Sequence, residues 1–358
     1  MYNLTNSNYG MDMKKLYLDN AESYLLKSKL DLNREKEYVQ RAEEMIDRAK
    51  TINIQEKQNV IGNFLFTKPK FTFRDVAGME EVKDKIKIKV VEPINNPEIF
   101  QIFGKKFGGG MIMYGPPGCG KSYIAEATAG EADVTYFNVK VSDIKGKYVG
   151  ETENNLAKLF KLAREHQPCI IFFDEFESLG RERNDAVGHD KSMVSQLLTE
   201  IDSLGSKNQQ IMLIAATNEP WNIDIAFRRE GRFGNTIFIP PPDHNSRKNI
   251  LKMQLQGKPI DEKLNYEELA KITELYSGAD LLEVCNTAVE NVISECLKNK
   301  KIRKITTEDI LEVIKKKKEL VSAKWLKKSL ETIYTTNNED SFREVIEYAN
   351  KYMNKEMD

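Results

Sequence analysis

Eight consecutive residues have the types and spacing of a loop that binds phosphate: Gly115, Pro116, Pro117, Gly118, Cys119, Gly120, Lys121 and Ser122. Gly118 and Gly120 let the backbone curl so that successive amide groups point at one spot. Lys121 would place a positive charge against terminal phosphates, and the Ser122 hydroxyl is a suitable magnesium ligand. An apolar run precedes this loop and a helical stretch from Tyr123 follows it, which is the context that the motif requires.

Two acidic residues, Asp174 and Glu175, directly follow the apolar run 170–173. In open α/β sheets ligands bind at the carboxyl ends of strands, so these carboxylates are expected beside the phosphate loop. Asp174 is predicted to hold Mg2+ through water, and Glu175 to orient and polarise an attacking water. Asn218 follows another apolar run, and its amide could position that water. Taken alone, Asn218 would be read as a cap at the end of a strand.

Apolar runs alternate with helical patterns between residues 74 and 242, which predicts a doubly wound parallel sheet. Five strands are expected, at 111–114, 134–139, 170–173, 211–216 and 236–239. Three consecutive prolines, at 240–242, end this unit. We therefore predict a large α/β domain over 69–242, a helical lid over 243–318, and a helical C-terminal extension over 319–358 with Trp325 among its packing residues.

The N-terminal region, residues 1–68, is polar and helical in pattern. One amphipathic stripe runs from Leu18 to Leu32 and a second from Tyr38 to Ile52, which predicts a two-helix hairpin. Residues 64–73 contain Pro69 and are interpreted as a linker. The hairpin buries little by itself, so it is expected to need a third helix or a partner.

Composition restricts the functional classes. The 54 Lys and Arg residues balance 55 Asp and Glu residues to a formal charge of −1. The chain therefore lacks the overall positive charge that is typical of proteins that bind nucleic acid, so nucleic acid is not an expected partner. No apolar run reaches membrane-spanning length and no apolar signal core follows Met1, so a soluble cytoplasmic protein is expected. The four cysteines are interpreted as free thiols.

The combination of these motifs resembles the AAA family of ATPases over residues 71–318. The segment 224–233 resembles the family's second region of homology, and its arginines correspond to Arg229 and Arg232. The resemblance implies that these arginines reach the ATP of a neighbouring subunit. Guanidinium groups stabilise charge on a transferring phosphoryl group, so the role is physically reasonable. Action between subunits implies a homo-oligomeric ring, usually a hexamer, with ATP and Mg2+ as cofactors.

Three further segments support the resemblance. Residues Asp75, Val76, Ala77 and Gly78 resemble the segment that lines the adenine pocket. The segment 277–280, with Gly278 and Ala279, resembles the part of the lid that closes over the nucleotide. The segment 146–151 resembles the first pore loop, in which Lys147, Tyr148 and Val149 would grip a polypeptide in the central channel. Tyr123 completes the residues expected at the nucleotide.

The pore-loop pattern is most similar to the branch that contains katanin, spastin and the ATPases that disassemble membrane-scission polymers; archaeal-type AAA ATPases are also similar. The N-terminal hairpin resembles the helical adaptor domain of that branch, but a tetratricopeptide-like pair or a coiled coil would give the same pattern. Two departures from the family stand out. Gly234 and Asn235 replace the usual aspartate and arginine, and residues 189–192 replace the usual arginine pair near the second pore loop.

The resemblance implies that ATP hydrolysis drives the remodelling, unfolding or disassembly of proteins threaded through the ring. Three alternatives remain open. A proteasome-associated unfoldase would usually end in a hydrophobic-Tyr-X tail, which the residues 352–358 do not match. A nucleic-acid motor fits poorly with the near-neutral charge, and a nucleotide-switched scaffold that does not hydrolyse ATP fits poorly with Glu175.

Overall fold

The computed structural model describes residues 24, 35–51, 59–61, 64–104, 109–146, 150–178, 188–206, 209–229, 231–317 and 320–353. Contacts within the chain divide it into two compact units, Met1–Ile61 and Gly62–Asp358, and each is described by itself. No helix in these ranges is both long and apolar enough to cross a membrane.

The first unit contains one described helix, α1 (Glu35–Thr51), and a short strand, β1 (Asn59–Ile61). Helix α1 lies where the second amphipathic stripe of the N-terminal region, Tyr38 to Ile52, predicts a helix. Ala42 is buried, whereas Arg41 and Glu37 form an exposed ion pair at 2.9 Å one turn apart. The first helix of the expected hairpin lies outside the described residues, except for Tyr24, which is helical.

A six-stranded sheet forms the centre of the second unit, in the order β2-β4-β5-β6-β3-β7. Its strands are β2 (Phe64–Thr67), β3 (Gly109–Tyr114), β4 (Thr135–Val139), β5 (Cys169–Phe173), β6 (Ile211–Thr217) and β7 (Asn235–Phe238). Neighbouring strands from β4 to β7 are parallel. All residues of β5 and β6 are buried, as expected for central strands covered on both faces. The doubly wound parallel sheet and its five expected strands are therefore confirmed.

Helices cover both faces of this sheet. They are α2 (Glu80–Ile86), a π-helical turn (Lys87–Val91), α3 (Glu92–Asn95), α4 (Pro97–Ile102), α5 (Lys121–Glu131), α6 (Val141–Ile144), α7 (Glu151–Glu165) and α8 (Gly188–Ser206). Alternate residues of β5 enter opposite core layers: Ile171 packs with residues of α7 and α8, and Ile170 packs with residues of α2 and α5. The alternation follows from the twofold period of side chains along a strand.

The segment 64–73 is not only a linker, as the sequence suggested. Its first residues form β2, which pairs antiparallel with β4 at the edge of the sheet. Phe64 and Phe66 alternate toward the core and are buried, and the Phe66 ring stacks on Phe137 at 5.1 Å. The strand was missed because only four residues carry the pattern before Pro69.

The lid is helical, as expected, and consists of α9 (His244–Leu255), α10 (Tyr266–Ile272), α11 (Gly278–Asn299) and α12 (Thr307–Lys316). Reciprocal side-chain and backbone hydrogen bonds cap the starts of α11 and α12, through Ser277 with Asp280 and Thr306 with Asp309. The lid encloses an apolar core of its own, separate from the two layers on the sheet.

The C-terminal extension consists of α13 (Val321–Thr335) and α14 (Arg343–Met353). Leu320 packs on the lid core, but no residue of the described helices α13 and α14 belongs to that core. Trp325, Leu326, Ile333 and Phe342 instead join the core layer that contains β3, α7 and α8 of the large domain. The chain therefore leaves the sheet after β7, forms the lid, and returns to the large domain.

Candidate nucleotide site

The phosphate loop connects β3 to α5, so it lies at the carboxyl edge of the sheet. Gly118 and Gly120 have φ values of +75° and +86°, a region that side chains rarely adopt. Gly120 is the residue before α5, and no side chain caps that helix start. The first amide groups of an α-helix have no acceptor within the helix, and the helix dipole favours a negative charge there, so the start of α5 is suited to bind an anion.

Lys121 is folded into this loop and is only 8% exposed. Its amine donates hydrogen bonds to the carbonyl oxygens of Gly115 at 2.9 Å and Pro116 at 2.8 Å, and to Asn218 Oδ1 at 2.7 Å. Burial lowers the pKa of Lys121 to about 8, because the charged form loses its hydration. The nearby groups of Asp174 and Glu177 favour the charged form and only partly offset that effect.

A hydroxyl and a carboxylate meet beside the loop. Ser122 Oγ donates to Asp174 Oδ2 at 3.2 Å, and Asp174 Oδ1 accepts the backbone N–H of Glu175 at 3.0 Å. Both side chains offer hard oxygen ligands, which is the donor set that Mg2+ prefers. The residues present therefore fit a magnesium ion shared with a bound phosphate.

Glu175 adopts a backbone conformation that is unusual for its residue type, with φ of +52°. Its side chain is exposed, directly after β5. Such a left-handed conformation costs on the order of 1–3 kcal/mol and is concentrated at functional sites. This conformation and the exposure of the side chain are consistent with a Glu175 carboxylate that is available to react with water.

Sequence reasoning missed Glu177, which belongs to the same site. Its Oε1 accepts the backbone N–H of Asn218 at 3.4 Å, and it contributes to the electrostatic environment of Lys121. Its Oε2 is buried, and among the described residues it has no hydrogen-bond partner. The available signal was a third acidic residue within four positions of the end of β5.

Asn218 follows β6, which lies between β5 and β3 in the sheet. Three groups of this residue are bound at once. Its N–H donates to Glu177, its side-chain oxygen accepts from Lys121, and its backbone oxygen accepts the indole N–H of Trp325 at 2.6 Å. Asn218 is therefore joined to the phosphate loop, to the acidic segment and to the C-terminal extension.

The segment expected at adenine, residues 75–78, lies beside the loop helix. Tyr123 donates its hydroxyl to the carbonyl oxygen of Asp75 at 3.2 Å, and the buried amine of Lys83 donates to Val76 at 2.7 Å. Val76, Ala77 and Gly78 line a cavity of about 570 Å³ that Asn249 of the lid also borders. Most other residues that line this cavity are charged, and none of them belongs to the phosphate loop.

The lid contacts the phosphate loop directly. The N–H of Ala279 donates to the carbonyl oxygen of Gly118 at 3.3 Å. A β-carbon added to Gly118 would lie 2.7 Å from the Ala279 side chain, so a larger residue would force the lid away. Gly278 is also close to the loop, since an added β-carbon there would lie 3.2 Å from Gly118 O. Gly278 and Ala279 therefore lie next to the phosphate loop, and their role at the nucleotide stays a prediction.

The two arginines of the 224–233 segment lie in different settings. Arg232 forms a two-pronged ion pair with Asp202 of α8, with both N–O distances at 2.7 Å, and also donates to Ala226 O. Arg229 is exposed. Within the described part of the chain, neither has a hydrogen bond to the nucleotide-site residues above. Their proposed action on a neighbouring subunit stays a prediction.

The pore-loop residues Lys147, Tyr148 and Val149 lie outside the described residues. The chain on both sides of them is described. Gly146 N–H donates to Thr152 Oγ1 at 3.0 Å, and Gly150, the residue before α7, has a φ of +81°. The grip on a polypeptide also stays a prediction.

Sheet order, phosphate loop and adjoining carboxylates together define a P-loop nucleotide-binding module with a helical lid. Comparison with known proteins agrees. Residues 111–241 match the model of the ATPase family associated with various cellular activities (AAA), and residues 263–312 match that of the AAA+ lid domain. The chain belongs to the AAA ATPase family.

Two known proteins are similar to this chain in sequence. The "Putative cell division cycle ATPase" of Plasmodium falciparum is 40% identical over 243 residues, which are 67% of this chain and 20% of that protein. The "Cell division cycle protein 48 homolog" of Archaeoglobus fulgidus is 40% identical over 253 residues, 70% of this chain and 34% of the relative. The matched region therefore spans about a third or less of each relative.

Proposed function

We propose that this protein hydrolyses ATP with Mg2+ and uses the energy to remodel, unfold or disassemble polypeptides in a homo-oligomeric ring, most simply a hexamer. One observation carries the proposal. Lys121, Ser122, Asp174 and Asn218 come from three different strand ends and are joined by direct side-chain contacts at one edge of the sheet. A cytoplasmic location is part of the same proposal and rests on the sequence alone.

Binding would use groups that are already in place. The backbone amides at the start of α5 and the Lys121 amine would hold the phosphates, while the 75–78 segment would hold adenine. Ser122 and Asp174 would ligate Mg2+, which supplies charge neutralisation at the phosphates when bound. Because Lys121 now bonds to loop carbonyls and Asn218, phosphate oxygens would replace those partners rather than require a new position of the helix.

Hydrolysis would depend on Glu175 and Asn218. The exposed carboxylate of Glu175 would accept a proton from water, and the Asn218 amide would orient that water. The 2.7 Å contact between Asn218 and Lys121 supports a shared position at the terminal phosphate. The contact of Ala279 with Gly118 would transmit changes at the loop to the lid.

Assembly into a ring is supported by exposed apolar residues on two parts of the second unit. Ile99, Ile102 and Phe103 are 55–81% exposed at the end of α4, and Ile293, Leu297 and Ile302 are 52–74% exposed on the lid. Contiguous apolar patches on a protein surface often mark the places that other protein chains cover, and these two groups of residues are our candidates for such a contact. In a ring, Arg229 and Arg232 would reach the neighbouring ATP.

Protein remodelling is supported by the pattern of the pore loop with Tyr148, and by the similarity to the cell division cycle 48 homolog. The N-terminal region is proposed to bind the substrate or an adaptor protein. The identity of the substrate is left to experiment.

The site is tested by two substitutions. Lys121→Ala should weaken ATP binding about 10- to 100-fold, because a charged hydrogen-bonding group is lost. Glu175→Gln should leave ATP affinity nearly unchanged and lower turnover about 10²- to 10⁴-fold, because the proton acceptor is removed. Calorimetry gives the affinity and phosphate release gives the turnover. Unchanged affinity in the first variant, or normal turnover in the second, would contradict the assignment.

Ring formation and substrate class are tested on the Glu175→Gln protein, which should retain ATP. Light scattering with ATP should report a closed oligomer, and proteins trapped in it identify the substrate. A strictly monomeric protein with full turnover would rule out the ring. Turnover stimulated by DNA rather than by unfolded polypeptide would instead indicate a nucleic-acid motor.

A further inference from the structure

We propose that Trp325, in helix α13 of the C-terminal extension, positions Asn218 for ATP hydrolysis, so that the extension forms part of the nucleotide site. The inference rests on the proposed ATPase activity. It assigns a role in that activity to a helix which lies beyond both regions matched by the family comparison.

The bond between the two residues is short and direct. The indole N–H of Trp325 donates to the backbone oxygen of Asn218 at 2.6 Å. On the other side of the same residue, the backbone N–H of Asn218 donates to Glu177 at 3.4 Å. With its backbone held from both directions, Asn218 places its side-chain oxygen 2.7 Å from the Lys121 amine.

Trp325 is itself well fixed, so it can hold a neighbour in place. It is 7% exposed, and its ring stacks on Phe238 at 6.2 Å with an angle of 12° between the planes. Trp221 packs against it at 5.9 Å. A large aromatic side chain has only two side-chain torsions, so little conformational entropy is lost when it donates a directed hydrogen bond.

Neighbouring turns of α13 contact the same site. Lys328, one turn after Trp325, pairs with Glu219 at 2.6 Å, directly beside Asn218. Ser322, one turn before Trp325, is fully buried and lies beside the Cys119 thiol of the phosphate loop. Residues three apart on a helix share a face. One face of α13 therefore contacts both the phosphate loop and the loop that carries Asn218.

The consequence concerns turnover more than binding. Phosphates are held chiefly by loop amides and Lys121, which do not need Trp325. The water at the terminal phosphate needs an amide in a defined place, and displacement of a catalytic contact by about 1 Å can lower a rate up to 100-fold. Loss of the Trp325 bond should thus lower kcat and leave ATP affinity nearly unchanged.

The primary test is Trp325→Phe, which keeps an aromatic ring in the cluster but removes the donor. We expect kcat to fall about three- to tenfold, the loss typical of one hydrogen bond, with ATP affinity changed less than twofold. Trp221→Phe is the matched control, because it removes an indole from the same cluster and leaves the Asn218 bond intact. Its kcat should stay within twofold of the parent protein.

A charge exchange provides a second test that does not disturb the core. Lys328→Glu places like charges beside Asn218 and should lower kcat several-fold without changing the unfolding temperature. The double variant Glu219→Lys with Lys328→Glu restores the opposite charges and should recover most of the lost kcat. Thermal unfolding and ATP affinity are measured for every variant in the full chain.

The outcomes separate the inference from the proposed function. A parent protein without ATP turnover contradicts the proposed function itself. If the parent turns over ATP and Trp325→Phe matches it in kcat, the positioning role is wrong. If Trp325→Phe does not fold, the charge exchange decides, and a double variant no more active than Lys328→Glu overturns the inference.

Discussion

The buried amine of Lys121 should make ATP binding depend on pH in a range where an exposed lysine would stay charged. Burial lowers the pKa of Lys121 from 10.5 to about 8 in the protein without nucleotide. Bound phosphates would favour the charged amine and raise that pKa again. Binding above pH 8 must therefore be accompanied by uptake of a proton.

The magnitude follows from the fraction of protein with a charged lysine. At about pH 7 nearly all molecules carry the charge, whereas at about pH 9 roughly one in eleven does. The affinity for ATP should thus fall about tenfold from pH 7 to pH 9. It should not change with pH below the pKa of Lys121, and it should decrease as the pH rises through that pKa. The largest loss of binding free energy is about 3 kcal/mol, which corresponds to the pKa of Lys121 returning from about 8 to its usual value when ATP binds.

Calorimetry with a nonhydrolysable ATP analogue and Mg2+ measures both the affinity and the protons taken up, by comparing buffers of different ionisation enthalpy. Lys121→Arg is the matched control, because its guanidinium stays charged throughout this range. Its affinity should be lower than that of the parent at pH 7 but independent of pH. An affinity of the parent protein that is flat from about pH 7 to pH 9, without proton uptake, would refute the reasoning.

Three further outcomes are expected. Arg232→Ala and Lys121→Ala proteins should each be inactive, but a mixture of the two should regain ATP turnover, measured as phosphate release. The reason is that the Lys121→Ala subunit supplies the arginine that its neighbour lacks. A mixture that stays inactive would exclude action between subunits. Tyr148→Ala should retain basal turnover and lose unfolding of a fluorescent reporter protein, and unaffected unfolding would exclude the pore-loop grip. Phe66→Ala should lower the free energy of unfolding by about 3 kcal/mol in denaturant titration, since it empties a buried aromatic site; a change below about 1 kcal/mol would show that β2 contributes little to stability.

Much of the large domain could be predicted because its signals are local. The apolar run before Asp174 reports a strand buried on both faces, and the glycines before Lys121 report a loop with positive φ. Their meeting in space follows from a general property of parallel sheets, whose carboxyl ends lie at one edge. The fold and the family were therefore accessible from the sequence, and the contact between Ser122 and Asp174 agrees with that placement.

Other features depend on contacts between distant residues and have no local signal. Strand β2 is four residues long, and only its pairing with β4 identifies it. Glu177 looks like one more acidic residue until its contact with Asn218 is known. Trp325 was expected to pack, but its donor bond joins positions 107 residues apart. Such bonds are set by tertiary packing, which no periodicity in the sequence encodes.

The path of the chain around the lid has a mechanical consequence. The lid is connected to the large domain at 240–242 on one side, and on the other by the stretch between Leu320, which packs on the lid core, and Trp325, which packs in the large-domain core. A rigid domain that is connected at two points can rotate easily only about the line that joins those points. The lid should accordingly rotate about one axis relative to the large domain rather than tilt in all directions, so that a change at the phosphates moves the lid in a single direction.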